Sequence, residues 1–228
     1  MLLFNTLTGM KEYVQGPVAT VEKLLSEKYG TDFTTTHIGD RFNTETTTLF
    51  CRTADNSSPG FTVVYRPLER TITDDLPARR AASAIDSGIA EGLAGNGITA
   101  SSMTVLFEAV CDGNAAVTGP AEFVEASQTK FLLTRIAVKA ESLTRTEADA
   151  VLSVLTETSR KYAGKDIKAA LFLLPDAGYE ECSKLFAELP RISDMRLRGF
   201  SPAFVLGISV HGGEAAFTAG DTGAAIKE

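Results

Sequence analysis

Val18-Ala19-Thr20-Val21-Glu22-Lys23-Leu24-Leu25-Ser26-Glu27-Lys28-Tyr29-Gly30-Thr31-Asp32-Phe33-Thr34-Thr35-Thr36-His37-Ile38 changes its hydrophobic period at Gly30. Before it, Val14, Val18, Val21, Leu24 and Leu25 recur at spacings of three and four, as one buried helical face requires. After it, Phe33–Ile38 is Thr-rich with apolar ends, as in a strand. The pattern predicts a helix over 11–29 whose real start lies near Pro17, since proline suits a first helical turn, and which stops at Gly30. Thr46–Arg52 and Phe61–Arg66 then read as two more strands, because the linkers Gly39–Asn43 and Ala54–Gly60 carry the Gly, Asp, Asn, Ser and Pro that turns need. A helix followed by an antiparallel meander packed on it is the expected first layer.

From about residue 73 helix and strand periods alternate. Asp74 and Asp75 open a helix over 75–94, where carboxylates satisfy free N–H groups, and Gly95-Asn96-Gly97 ends it. Met103–Val110 reads as a strand, Pro120–Ala126 as a short helix and Phe131–Ala140 as a strand. Thr144-Arg145-Thr146-Glu147 is a capping box that starts a helix reaching about Tyr162, buried through Val151, Leu152 and Leu155. Ala169–Leu174 is a buried strand, Tyr179–Leu189 a helix, and Met195–Phe200 and Phe204–Val210 are strands. The Gly- and Ala-rich tail adds a strand at Ala215–Thr218 and then frays. The expected organisation is 1–72 as helix plus meander and 73–228 as an alternating body, either as two parts or packed as one domain. The fold class is α+β, or α/β. Residues 81–140 and 149–210 share the order helix, strand, helix, strand, with Ala94-Gly95 matching Ala163-Gly164 and Asp112-Gly113 matching Asp176-Ala177-Gly178. That plan fits an internal duplication, and it fits the plain alternation of α/β chains.

Composition bounds the function. At 228 residues the chain holds one large domain or two small ones, and 44% hydrophobic residues suffice for a core. No apolar run approaches the roughly 20 residues of a membrane helix, and Met1–Leu7 lacks the basic start of an export signal. As it stands the chain reads as soluble and cytoplasmic, with the cell envelope as the alternative if an export signal precedes it. Lys and Arg total 22 against 29 Asp and Glu, a net charge of −7, which argues against nucleic-acid binding. Arg79-Arg80 and Arg196–Arg198 read as solvated pairs. Cys51, Cys111 and Cys182 are too few and too spread for a disulfide framework or a zinc site, and His37 and His211 are the only histidines. No metal or cofactor is implied.

Few residues suggest chemistry. Arg52 beside Cys51 could lower a thiol pKa, but adjacent strand residues face opposite ways, so all three cysteines read as core. A Cys–His pair would need His37 or His211 folded against one of them. His211-Gly212-Gly213-Glu214 is either an anion-binding nest or a plain turn. Glu157 and Glu180-Glu181 read as solvated helix faces. Glu108 and Asp112 flank a strand end, and Asp176 holds the matching place in the second unit. Sites in open α/β sheets form at such ends, so Glu108, Asp112 and Asp176, with His211 nearby, are the candidate catalytic or metal-holding residues.

Residues 19–95 resemble small, uncharacterised, often membrane-anchored or lipoprotein-like proteins of Gram-positive bacteria. The resemblance lies in Leu25-Ser26-Glu27-Lys28-Tyr29-Gly30-Thr31-Asp32-Phe33, Thr48-Leu49-Phe50-Cys51, the Phe61–Tyr65 strand and the helix entry Ile72-Thr73-Asp74-Asp75. It implies a helix closed by Gly30 and followed by a meander, and it brings no activity with it; the sequence departs from those proteins in lacking an N-terminal membrane segment. Taken together, the residues point away from an enzyme. They point to a binding or assembly module that contacts a protein partner or itself through a sheet edge. The alternative is a small-ligand or metal-binding enzyme using the strand-end carboxylates.

Overall fold

Gly30 takes a φ of +69°, which disfavours any side chain, and its N–H bonds the Ser26 carbonyl at 2.8 Å. The helix therefore ends where the period changes. The structure, a computed structural model, describes residues 2–39, 45–106, 111–112, 119–127, 129–188 and 202–228. In chain order the elements are α1 (Leu2–Tyr29), β1 (Phe33–Ile38), β2 (Thr47–Thr53), β3 (Phe61–Arg66), β4 (Thr71–Asp74), α2 (Leu76–Ala94), β5 (Ala100–Leu106) and β6 (Cys111–Asp112). There follow α3 (Pro120–Ala126), β7 (Phe131–Lys139), β8 (Leu143–Thr144), α4 (Arg145–Lys161), β9 (Asp166–Leu174), α5 (Asp176–Glu188), β10 (Phe204–His211), β11 (Glu214–Ala219), α6 (Thr222–Ala225) and β12 (Ile226–Lys227). The content is α+β. The expected strand at Met195–Phe200 lies outside the described residues.

The chain divides into two units, residues 1–79 with 110–116, and residues 80–109 with 117–228. The first unit has an antiparallel sheet in the order β1-β2-β3-β4-β6. Alternation places Leu49 and Cys51 with Phe61, Val63 and Tyr65 on one face, where Val21 and Leu25 of α1 complete a buried cluster with Phe33 and Leu76. The Phe33 ring stands edge-on to Phe61 with centroids 5.6 Å apart. Two expectations are corrected. The helix runs through Pro17 instead of starting there, since one proline removes a single ladder bond. The meander gains β4 and β6, which at four and two residues are too short to leave a periodic signal.

The second unit has one mixed sheet, β11-β10-β9-β7-β5, in which β7 and β9 are parallel and the other neighbours antiparallel. The two helix–strand–helix–strand stretches therefore share a sheet. Leu132, Ile136, Ile167, Leu171, Leu206 and Ile208 are buried on one face, as are Val151 and Leu155 of α4. Gly92 lets α2 and α4 approach closely: a Cβ there would meet the Val154 side chain at 3.0 Å. On the other face α5 brings Tyr179, Cys182 and Phe186 onto Met103 and Ala137. The capping box forms as the sequence predicts, with Glu147 N–H donating to Thr144 Oγ1 at 3.2 Å and Thr144 N–H to the Glu147 carboxylate at 2.7 Å.

The tail does not fray. Gly220 adopts a φ of +93° and packs so tightly on the Val205 carbonyl that a Cβ has no room. Asp221 accepts from Ala224 N–H at 3.0 Å to cap α6, and β12 pairs in parallel with β8. The small residues that suggested looseness permit this close packing.

Candidate functional site

The strand-end residues do not converge. Asp176 sits in the first turn of α5, where a carboxylate suits the helix dipole; it lies 3.5 Å from Lys139 Nζ and its side chain is 83% exposed. His211 ends β10, with Nδ1 2.7 Å from Oδ2 of Asp166, the first residue of β9, and its ring is also largely exposed. Asp176 follows the far end of β9, so the nine residues of that strand, roughly 30 Å, separate it from His211. Asp112 pairs with Thr73 on the sheet of the first unit. Its side chain, and all of Glu108, lie outside what the structure describes. Gly212 and Gly213, with φ of +58° and +84°, make the two-residue turn of a β-hairpin, so His211-Gly212-Gly213-Glu214 is a turn.

The polar groups the structure does gather were not singled out as a network by sequence. In the first unit Asp74 is 2% exposed and accepts from Lys28 Nζ and Tyr29 Oη at 2.7 Å each, and from Leu76 N–H at 3.1 Å. Its neighbour Asp75 accepts from Thr62 N–H and from Arg79 Nε, and burial raises its pKa. Asp74 caps the entry to α2 as its position suggests, whereas the Asp75 carboxylate turns to β3 and to the Arg79 side chain; the reach of Lys28 and Tyr29 back to Asp74 spans some 45 residues and has no sequence signal. In the second unit Asp86 of α2 accepts from Thr104 Oγ1 at 2.7 Å, Thr104 N–H at 3.1 Å and Ser102 Oγ at 3.1 Å. Burial pushes its pKa up to about 6 against those bonds. Each of these carboxylates is engaged by hydrogen bonds within its own unit.

Asp86 has a further effect. β5 is an outermost strand, and the N–H that Asp86 takes belongs to its middle residue region. Thr104 and Thr134 face each other across β5 and β7 with hydroxyls 3.0 Å apart, the close approach of a pair whose N–H and C=O groups turn outward. Asp86 thus covers a donor that an incoming strand would need. Glu22 does the same in the first unit, accepting from Thr35 N–H of the outermost strand β1 at 2.8 Å. β11 is different. It is outermost, mostly exposed, and carries no charged residue between Glu214 and Asp221. The two-residue turn makes His211 and Glu214 a hydrogen-bonded pair, so alternation turns the N–H and C=O of Ala215 and Phe217 away from β10. Thr218 then bulges out of register, between Phe217 paired with Ile208 and Ala219 paired with Gly207.

The Cys111 side chain lies outside what the structure describes. Cys51 and Cys182 are buried, and desolvation pushes each thiol up to about 11. His37 stacks on Phe50 with centroids 5.6 Å apart. Among the described residues no three His, Cys, Asp or Glu gather as a metal site. Nor, among them, is any helix long and apolar enough to cross a membrane.

These features define the chain as an α+β protein in whose second unit β11 is, among the described residues, an outermost and mostly exposed strand. No protein-family model matches it, and no curated protein does. It is similar in fold to the crystal structure of a DUF5037 family protein from Ruminococcus gnavus ATCC 29149, with a TM-score of 0.64 and 12% sequence identity over 87% of this chain and 93% of that one. At that identity the likeness shows the fold alone.

Proposed function

We propose that this protein is a non-enzymatic binding and assembly module that works through protein–protein contacts, with the β11 edge as its contact surface. The observation that carries the reading is the contrast between edges. Acidic side chains occupy an N–H on β1 and on β5, whereas Ala215 and Phe217 of β11 turn theirs outward from a mostly exposed strand with no charged residue beyond Glu214. Adding a strand there satisfies backbone groups that otherwise depend on water, and main-chain bonds supply the affinity. The competing reading, a small-ligand or metal-binding enzyme built on strand-end carboxylates, has only Asp176 and His211 to draw on among the described side chains, and these stand at opposite ends of β9. The cytoplasm suits such a module; the cell envelope is the alternative that the sequence resemblance supports.

Ala215→Pro tests the reading, because it removes an outward donor while leaving the bonds to β10 in place. Tagged wild type and A215P are crosslinked in parallel and their complexes compared by mass. The expected result is a complex, of this chain or another, held by the wild type through residues 214–219 and lost in A215P. Equal complexes in both, or none in either, would refute it.

A further inference from the structure

We propose that the strand added at the β11 edge is β11 of a second copy of this chain, paired antiparallel about a two-fold axis through Ala216. The inference rests on the strand-addition reading above. The outward groups belong to Ala215 and Phe217, one residue to each side of Ala216. Residues opposite each other in a sheet share a face, so a two-fold through Ala216 sets Ala215 against Phe217 of the second copy, and Phe217 against its Ala215. Both outward residues of both copies then bond fully. Moving the axis to Phe217 would require outward groups from Ala219, which the bulge at Thr218 turns back toward β10. Moving it to Ala215 would place Phe217 against Gly213, inside the hairpin turn. The strand therefore offers itself one good register.

Charge favours a copy of the same strand as the occupant. The chain carries a net charge of −7, so two copies repel except where the contact is neutral, and β11 has no charged residue between Glu214 and Asp221. In the proposed register Glu214 falls opposite Thr218, so no like charges face each other. The axis crosses Ala216 against Ala216, a small exposed residue at a non-hydrogen-bonded pair, where strands approach most closely. From Ala215 to Ala219 the strand offers a charged segment no counter-charge, and an acidic one would also meet Glu214.

Ala216→Glu and Ala216→Lys test this in the full chain by sedimentation from micromolar to millimolar concentration, with circular dichroism as the check on folding. The expected result is a reversible wild-type dimer, weakened at least about tenfold in each charged variant and regained when the two are mixed in equal amounts. A215P, which introduces no charge, should also be monomeric, and it decides the matter if a charged variant misfolds. A wild type that stays monomeric throughout overturns the second copy as the occupant and leaves a foreign strand at the same edge. A dimer indifferent to A216E, A216K and A215P overturns both this inference and the β11 edge as the contact surface.

Discussion

The carboxyl of Asp86 gives a quantitative prediction. Burial raises its pKa from the ordinary 3.8 to about 6 in the folded chain. Above pH 6 the group is ionised folded and unfolded alike, and at 1.36 kcal/mol per pKa unit holding that charge inside costs about 3 kcal/mol. Between pH 6 and 3.8 the folded state binds the proton and the unfolded state does not, so stability rises as pH falls through this window. Integrating that linkage gives about 1.4 kcal/mol more stability at pH 5.0 than at pH 7.5 from this group. Asp86→Asn carries no charge and keeps an acceptor for the Thr104 N–H, so it lacks this contribution. Urea unfolding of both proteins at the two pH values, with hydrogen exchange at Ala100–Leu106 to report on the second unit, makes the measurement. Asp75 is also raised by burial, but it is present in both proteins and cancels in the difference. The stability difference between variant and wild type should move by about 1.4 kcal/mol in favour of the variant from pH 5.0 to 7.5. A difference that stays constant, or moves the other way, would show that Asp86 is not a buried carboxyl held against its own desolvation.

Other outcomes follow from single contacts. Lys28→Ala strands Asp74 in the core of the first unit and should destabilise by about 3–5 kcal/mol in chemical unfolding, while Lys23→Ala, from an exposed pair with Glu27, should change stability by less than about 1 kcal/mol. Thr144→Ala removes the capping box of α4 and should cost about 1 kcal/mol in the same assay. Gly220→Ala should release the tail, read as faster hydrogen exchange at Ile226 and Lys227. Cys51 and Cys182 should react with a thiol reagent at neutral pH only as fast as the protein unfolds, and prompt labelling of either would contradict its burial.

The parts of the fold that were legible in sequence are those with a local cause. Gly30 and the change of period set the end of α1, and Thr144 with Glu147 set the start of α4. Pro120 fixed the first turn of α3. Elements without a local cause were missed. β6 exists because two residues return to pair with β4, and β12 because two residues reach β8, and neither pairing has a periodicity of its own. The candidate site shows the same division. Asp74 and Asp75 announce a helix entry, but Asp86 sits in mid-helix without a motif, and its partners Ser102 and Thr104 lie some 16–18 residues away. Strand-end carboxylates were the natural suspects from an α/β pattern. Asp176 and His211 stay apart because they sit at the two opposite ends of β9.

The carboxylate that Asp86 sets over the middle of β5 also bears on how large an assembly can grow. A sheet open on both sides accepts a strand at each, and each addition presents a fresh edge, so the contact propagates and the product is a fibre. Among the described residues Asp86 occupies the Thr104 N–H on one side of this sheet, while Ala215 and Phe217 turn theirs outward on the other, so the β11 side is the more receptive. A contact made there between two copies consumes the receptive side of both. The proposed pair is closed about its two-fold, and the Asp86 carboxylate at the opposite edge works against further addition there.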